Sequence, residues 1–330
     1  MGTYKVTSPN NRRVTGSLIL TVDPIEVNGY WRDAEENDIE ETFWGSTLRF
    51  HIEPYMSLIT DSNIRVKMTI KANGIETEIL DDNSLCFFTL SQKNYVEVRI
   101  KDRWELPESL RSAKEAVLWC EVSAHCIVVK KYISSIRISE FKVVNGFITA
   151  GTLLRSLPGR ISVINTRDFT EDINGIILHR TDSSTVGSAL YSASRQAAAH
   201  LYVDRNGDVY QVISLLQQAP HVGRIRPRNE PNTPSTQRVF DQERIKSYPD
   251  RFPFNIDSVG IEVVGRFLAR DSRWEAVESE QAKSTARLTN FLLGHFSLQR
   301  SNIYPHEIIS SKTAGEGQVV YDAIKNYLIM

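Results

Sequence analysis

The 330-residue chain is poor in the features that mark secreted, membrane-borne or polyanion-binding proteins. Its three cysteines, Cys86, Cys120 and Cys126, all fall in the first half. An odd and sparse set of this kind excludes a disulfide framework and leaves buried free thiols as the expectation. Excess charge of one sign is also missing, because 39 Lys+Arg stand against 40 Asp+Glu for a net charge of -1. With an isoelectric point near 6.7, bulk charge steers no polyanion, so no nucleic-acid partner is expected. No apolar run approaches the ~18 residues of a membrane helix, and membrane insertion is not expected. The opening MGTYKVTSPNNRRVTG lacks the continuous apolar segment and small-residue cleavage site of a Sec signal. What is present is ordinary: 41% hydrophobic and 24% charged residues, in a chain long enough at ~150 residues per domain for two folded cores.

The two halves differ in period. From about Leu18 to Ile138 apolar and polar residues alternate, as in Ile64, Val66, Met68 and Ile70 against Arg65, Lys67, Thr69 and Lys71. Alternation of this kind describes strands wet on one face, and their spacing between turn-prone stretches predicts an antiparallel β-sandwich over residues 1–150. Tyr30, Trp31, Phe43, Trp44 and Trp119 admit two readings, a carbohydrate-stacking platform or, more ordinarily, sandwich core. From Gly151 onward, strand-like runs such as GIILH (175–179) and SVGIEVVG (258–265) alternate with helical patterns at 188–201 and about 280–298. This order predicts an α/β layer domain over residues 151–330. DRNGD (204–208) has the Asn-Gly pair of a tight hairpin turn. Residues 224–255 hold five of the twelve prolines, which predicts a surface insertion, either a substrate lid or a solvated loop.

Candidate chemistry sits in the second half. His179 ends the apolar run GIIL, and His306 follows Tyr304-Pro305; histidines at strand ends project into the cleft where layer domains place sites. After His306, EIISSKTAGEG puts a lysine and a carboxylate in one Gly-containing loop, able to complete a zinc shell beside a cation. Glu262 lies in an apolar strand, where a carboxylate is costly unless it faces a polar groove, a metal, or an arginine such as Arg266 or Arg270.

Five blocks in order, GIILHRTDSS, AAAHLYVDRNGDVYQVI, AP-HVG, SVGIEVVG and PHEIISSKTAGEG, resemble the zinc-dependent N-acetylmuramoyl-L-alanine amidases. That family takes in phage lysozyme-type amidases, bacterial muropeptide amidases and peptidoglycan recognition proteins. The resemblance covers residues 172–325 and implies a central mixed sheet flanked by helices, with Zn2+ in an open groove. It implies His179 and His306 as metal ligands. The usual third ligand, two residues after the loop lysine, is here Ala314, and the resemblance moves the role to Glu316; water, Glu307, or no competent metal site are the alternatives. Glu262 matches the general base and Lys312 the lysine facing the reacting carbonyl. His200 and His221 match positions near the metal shell and the substrate groove, with a structural hydrogen-bonding role for His200 as the alternative. Where some relatives carry a tyrosine before His200, this chain has Ala199.

The resemblance implies hydrolysis of the amide between N-acetylmuramic acid and L-alanine in peptidoglycan or muropeptides. The rival from another class is a catalytically impaired peptidoglycan-binding or recognition module. The first half, with GYWRDAEENDIEETFWGSTLRFHIE, resembles Ig-like modules preceding amidase domains in bacterial effectors. That implies an antibacterial effector made in the cytoplasm and delivered to the periplasm or cell wall by a non-Sec route, with secretion machinery and a cognate immunity protein as partners.

Overall fold

A computed structural model describes residues 28–329 apart from 34–35, 54–63, 79–85, 89–94, 107, 112–114, 125–131, 140, 150–153, 157–166, 170, 196–197 and 231. The chain divides into two compact units. The first comprises residues 1–40, 48–98 and 116–137, and the second 41–47, 99–115 and 138–330. The expected single boundary at 150/151 therefore differs from the observed division. The turn at 145–149 packs with the second unit because Gln211 ties it there: its Oε1 accepts from Ile148 N at 2.8 Å, and its Nε2 donates to Gly146 O at 2.9 Å.

In the first unit, alternation makes ladders. Asn28–Asp33 pairs antiparallel with Thr47–Glu53, and Leu48, Phe50 and Ile52 are buried along one side. Ile64–Ala72 pairs antiparallel with Ile75–Glu78, Cys86–Phe88 and Glu115–Ala124. These ladders supply antiparallel strands, but the described residues do not show an Ig-like sandwich. Trp31 is buried, whereas Trp119 is 39% exposed. Cys120 is a buried free thiol whose pKa burial pushes up; Cys126 and His125 lie outside the described residues.

The second unit is built on a six-stranded mixed sheet. Its strands are β1 (Leu154–Ser156), β2 (Gly175–Arg180), β3 (Leu201–Val203), β4 (Val209–Gln211), β5 (Ser258–Val263) and β6 (Ile303–Pro305), in the order β1-β4-β3-β5-β2-β6. Only β3 and β4 pair antiparallel. They are joined by the expected tight turn, in which Gly207 takes a φ of +89°. The strand period sorts the side chains: Ile176, Leu178, Leu201, Val203, Ile261 and Val263 share one core with α3 (Ser279–His295) and α5 (Gln318–Ile324). Ile177 and Tyr304 face the other way, toward Val222, Ile225, Phe252, Phe254 and Ile309.

That second core corrects the picture of residues 224–255 as a surface loop. The segment carries α2 (Gln237–Glu243) and buries Ile225, Arg251, Phe252 and Phe254. Its prolines break helical and strand periods without making it peripheral. Arg251 is tolerated inside because Nη1 meets Asp257 Oδ2 at 2.9 Å, Nη2 meets Glu171 Oε2 at 2.8 Å and Nε donates to Lys246 O. The helical pattern at 188–201 is also shorter than expected, because α1 (Val186–Ala193) ends before His200. Among the described residues, no helix is long and apolar enough to cross a membrane.

Candidate metal centre

β2 lies between β5 and β6 and runs parallel to both, so the carboxyl ends of the three strands lie together, the usual location of sites in α/β sheets. His179 is the fifth residue of β2 and Glu262 the fifth of β5, and the two are paired in register. Each is two residues from a position facing away from the α3 core: His179 from Ile177, Glu262 from Gly260. His306 opens α4 (His306–Ile309) directly after β6. The loop from Ser310 then returns through Gly315, at φ +80°, to bring Glu316 back over both imidazoles. Glu307 holds that return by accepting from Gly317 N at 2.7 Å and Gln318 N at 3.0 Å, which occupies it as a cap on α5. Gly317 must lack a side chain, since a Cβ there would meet His306 N at 2.5 Å.

Glu316 Oε1 lies 2.8 Å from His306 Nδ1 and 3.7 Å from His179 Nδ1, and the rings of His179 and His306 are 4.1 Å apart. One ligand atom from each of His179, His306 and Glu316 falls within 4.8 Å of the others. Two imidazoles and one carboxylate match the three-protein-ligand set of a catalytic zinc site with an open position. Electrostatics fit the same group. Burial, then the neighbouring His306, pushes His179 down to about 3, so it is neutral and able to ligate at ordinary pH. Burial alone would raise Glu316, but the adjoining imidazoles of His179 and His306 outweigh it and hold the carboxyl at about 2, ionised.

Glu262 stands beside this trio, with Oε1 4.0 Å from His179 Nδ1. Its Oε2 is buried and has no hydrogen-bond partner, and neither Arg266 nor Arg270 pairs with it. Burial, followed by the charge of Glu316, lifts its pKa to about 8, opposed by the nearby Lys312 ammonium. Of the four inner groups it keeps the most side-chain surface open, 20% against 11% for Glu316 and 1–2% for the histidines. Lys312 is exposed on the loop before Glu316. Ala314, at the usual ligand position, contributes only a carbonyl, which accepts from Trp274 Nε1 at 3.2 Å.

His200 and His221 are not residues of an open groove. Both are buried, because β3 and the segment before Val222 carry them beneath the trio. His200 uses both ring nitrogens internally: Nε2 donates to Gln217 O at 2.8 Å and Nδ1 accepts from Gly260 N at 3.1 Å. Its pKa falls to about 4 because of burial. His221 Nδ1 lies 3.0 Å from His179 Nε2. Sequence reasoning missed Ser258, Val222 and Gly260 as parts of the arrangement. The one available signal was Gly260, a glycine inside an apolar strand, which often marks close approach of another group; a Cβ there would meet His221 Nδ1 at 2.5 Å.

Residues 169–318 match the family described as N-acetylmuramoyl-L-alanine amidase. The match supports the amidase family for this part of the chain and peptidoglycan amidase activity at the level of the family. Similar solved structures include a selenomethionine derivative of AmpD, 16% identical, with a TM-score of 0.39, covering 57% of this chain and 99% of that one. A DUF3823 family protein from Bacteroides ovatus is 19% identical, with a TM-score of 0.19, covering 42% and 71%. Likenesses at this level define neither fold nor chemistry. No curated protein matches.

Proposed function

We propose that this chain is a zinc-dependent amidase that hydrolyses the bond between N-acetylmuramic acid and the L-alanine of the stem peptide in peptidoglycan or muropeptides. The observation that carries the reading is the convergence of His179, His306 and Glu316 beside a buried, unpartnered Glu262 oxygen. Zinc, when bound, supplies Lewis-acid polarisation of the scissile carbonyl and acidifies water. The protein's own groups do the rest. His179, His306 and Glu316 would hold the ion; Glu262 accepts a proton from the attacking water and passes it to the leaving amide nitrogen. Lys312 presents its ammonium to the oxyanion that develops on the carbonyl. A carboxylate oxygen buried without a partner is expensive in a module that only binds, and it favours the enzyme over the impaired recognition module.

Incubation of the purified chain with peptidoglycan tests the proposal. Release of free stem peptides, stopped by a chelator and restored by zinc, is the expected result. Co-sedimentation with sacculi without any release would establish the binding module instead. Delivery to the periplasm or cell wall as an effector, restrained by an immunity protein, extends the same reading. It predicts lysis of a bacterial host only when the chain is fused to an export signal; equal toxicity without one contradicts it.

A further inference from the structure

We propose that the dipeptide His221-Val222 sets the tautomers of both histidine ligands, and so decides which nitrogen each offers to a divalent cation. The inference rests on the metal-site reading above, but its first prediction concerns the metal-free protein.

The protons can be traced from the back of the site forward. Ser258 Oγ donates to Phe254 O at 2.6 Å, so toward His221 the hydroxyl can only accept. His221 Nε2 lies 3.3 Å from that oxygen and 3.4 Å from Ser258 O, two acceptors, and it therefore carries the ring proton. His221 is buried between the rings of His179 and His200, with no anionic partner among the described residues, so the ring is neutral and its Nδ1 accepts. The 3.0 Å contact then makes His179 Nε2 the donor and leaves His179 Nδ1 as a lone pair facing Glu316 and Glu262.

Val222 does the same for the other ligand. Its carbonyl lies 2.9 Å from His306 Nε2, which must donate; His306 Nδ1, 2.8 Å from Glu316 Oε1, shares a proton with that carboxylate in the metal-free protein and would be the nitrogen offered once a cation displaces that proton. The dipeptide is itself pinned: Val222 N donates to Asn255 Oδ1 at 2.9 Å, and the missing Cβ of Gly260 leaves room for the His221 ring. Partners behind ligating histidines commonly fix ring orientation and tautomer in this way. Here adjacent residues of one segment serve both ligands, one by side chain and one by main chain. His221 is thus a positioning residue, one shell removed from the reacting atoms.

Long-range proton–nitrogen correlation spectra of the 15N-labelled protein in chelator report the tautomers directly. His179 and His221 are each expected protonated on Nε2 and bare on Nδ1, and His306 is expected protonated on Nε2. A wild-type His179 protonated on Nδ1 overturns the proposal. Two variants then probe function: His221→Gln keeps an amide oxygen able to accept from His179, and His221→Phe keeps the ring volume without an acceptor. Zinc affinity measured by competition with a chromophoric chelator should fall about 10- to 100-fold in His221→Phe and recover most of that loss in His221→Gln. Wild-type affinity in a folded His221→Phe overturns the proposal, as does equal loss in both variants. A wild-type chain that shows the expected tautomers but binds no zinc refutes the metal reading and leaves the tautomer assignment standing.

Discussion

The two faces of the central sheet use the same strands for opposite ends. Toward α3 and α5, Ile176, Leu178, Ile261 and Val263 present aliphatic side chains alone, and the helices close over them with Ala286, Leu288, Leu292 and Val320. One residue further along β2 and β5, on the reverse face, stand His179 and Glu262. Burial is nearly as complete there, but four histidines stand beside the apolar cluster around Ile177 and Tyr304, and their nitrogens must be accounted for. The comparison teaches that burial by itself does not distinguish a core from a site. The difference lies in polar atoms left over: His200 and His221 satisfy both ring nitrogens within the protein, whereas Glu262 Oε2 has no partner and the Nδ1 atoms of His179 and His306 converge on one carboxylate.

The sharpest test of that contrast removes the leftover oxygen's basicity while keeping its shape. Glu262→Gln should retain zinc and lower turnover on peptidoglycan by about 10²- to 10⁴-fold, the usual contribution of a general base; unchanged turnover would return Glu262 to a structural role. Lys312→Ala should cost about a hundredfold in turnover, as loss of one oxyanion donor does, and leave stability untouched because the side chain is exposed. On the opposite face, Leu292→Ala should destabilise the fold by about 2–5 kcal/mol, read by denaturant titration, while the folded fraction keeps its full zinc content. Loss of zinc from folded Leu292→Ala would show that the two faces are not separable.

A smaller effect comes from pH. In chelator, His179 and His200 have values of about 3 and about 4, and His221 lies well below the ordinary 6.5, all through burial. The unfolded chain takes up these protons near 6.5 and the folded chain does not, so stability is full above 6.5 and declines as pH falls below it. Glu262, raised to about 8, has the opposite sign: its contribution is present below 4.5 and lost as pH rises through 8. The thermal midpoint of the metal-free protein should therefore fall between pH 6.5 and 4.5; a flat profile across that interval would mean the histidines titrate normally.

Much of this face was readable from sequence, for a physical reason. An apolar run ending in histidine, and a glutamate inside an apolar strand, contradict their surroundings unless a site explains them, and both contradictions appear in the linear chain. The α/β layer order followed from alternating strand and helix patterns, and the central mixed sheet from the family resemblance. Hydrogen bonds that depend on register were not readable: nothing in AP-HVG says that His221 turns inward to His179, or that Val222 offers its carbonyl to a histidine 84 residues away. Residues 224–255 misled because proline density reports local breaks in period and is silent about burial of Ile225, Phe252 and Phe254. In the first unit, alternation predicts strands but does not choose their partners, so antiparallel ladders were foreseeable and an Ig-like order was not established.

Everything turns on whether His179, His306 and Glu316 hold one ion together, and zinc content per chain after equilibration with zinc and removal of the excess measures this directly. One zinc in the wild type, and near-complete loss in Glu316→Ala with the fold intact by circular dichroism, is the expected result. A folded Glu316→Ala that still carries a full equivalent of zinc would contradict it.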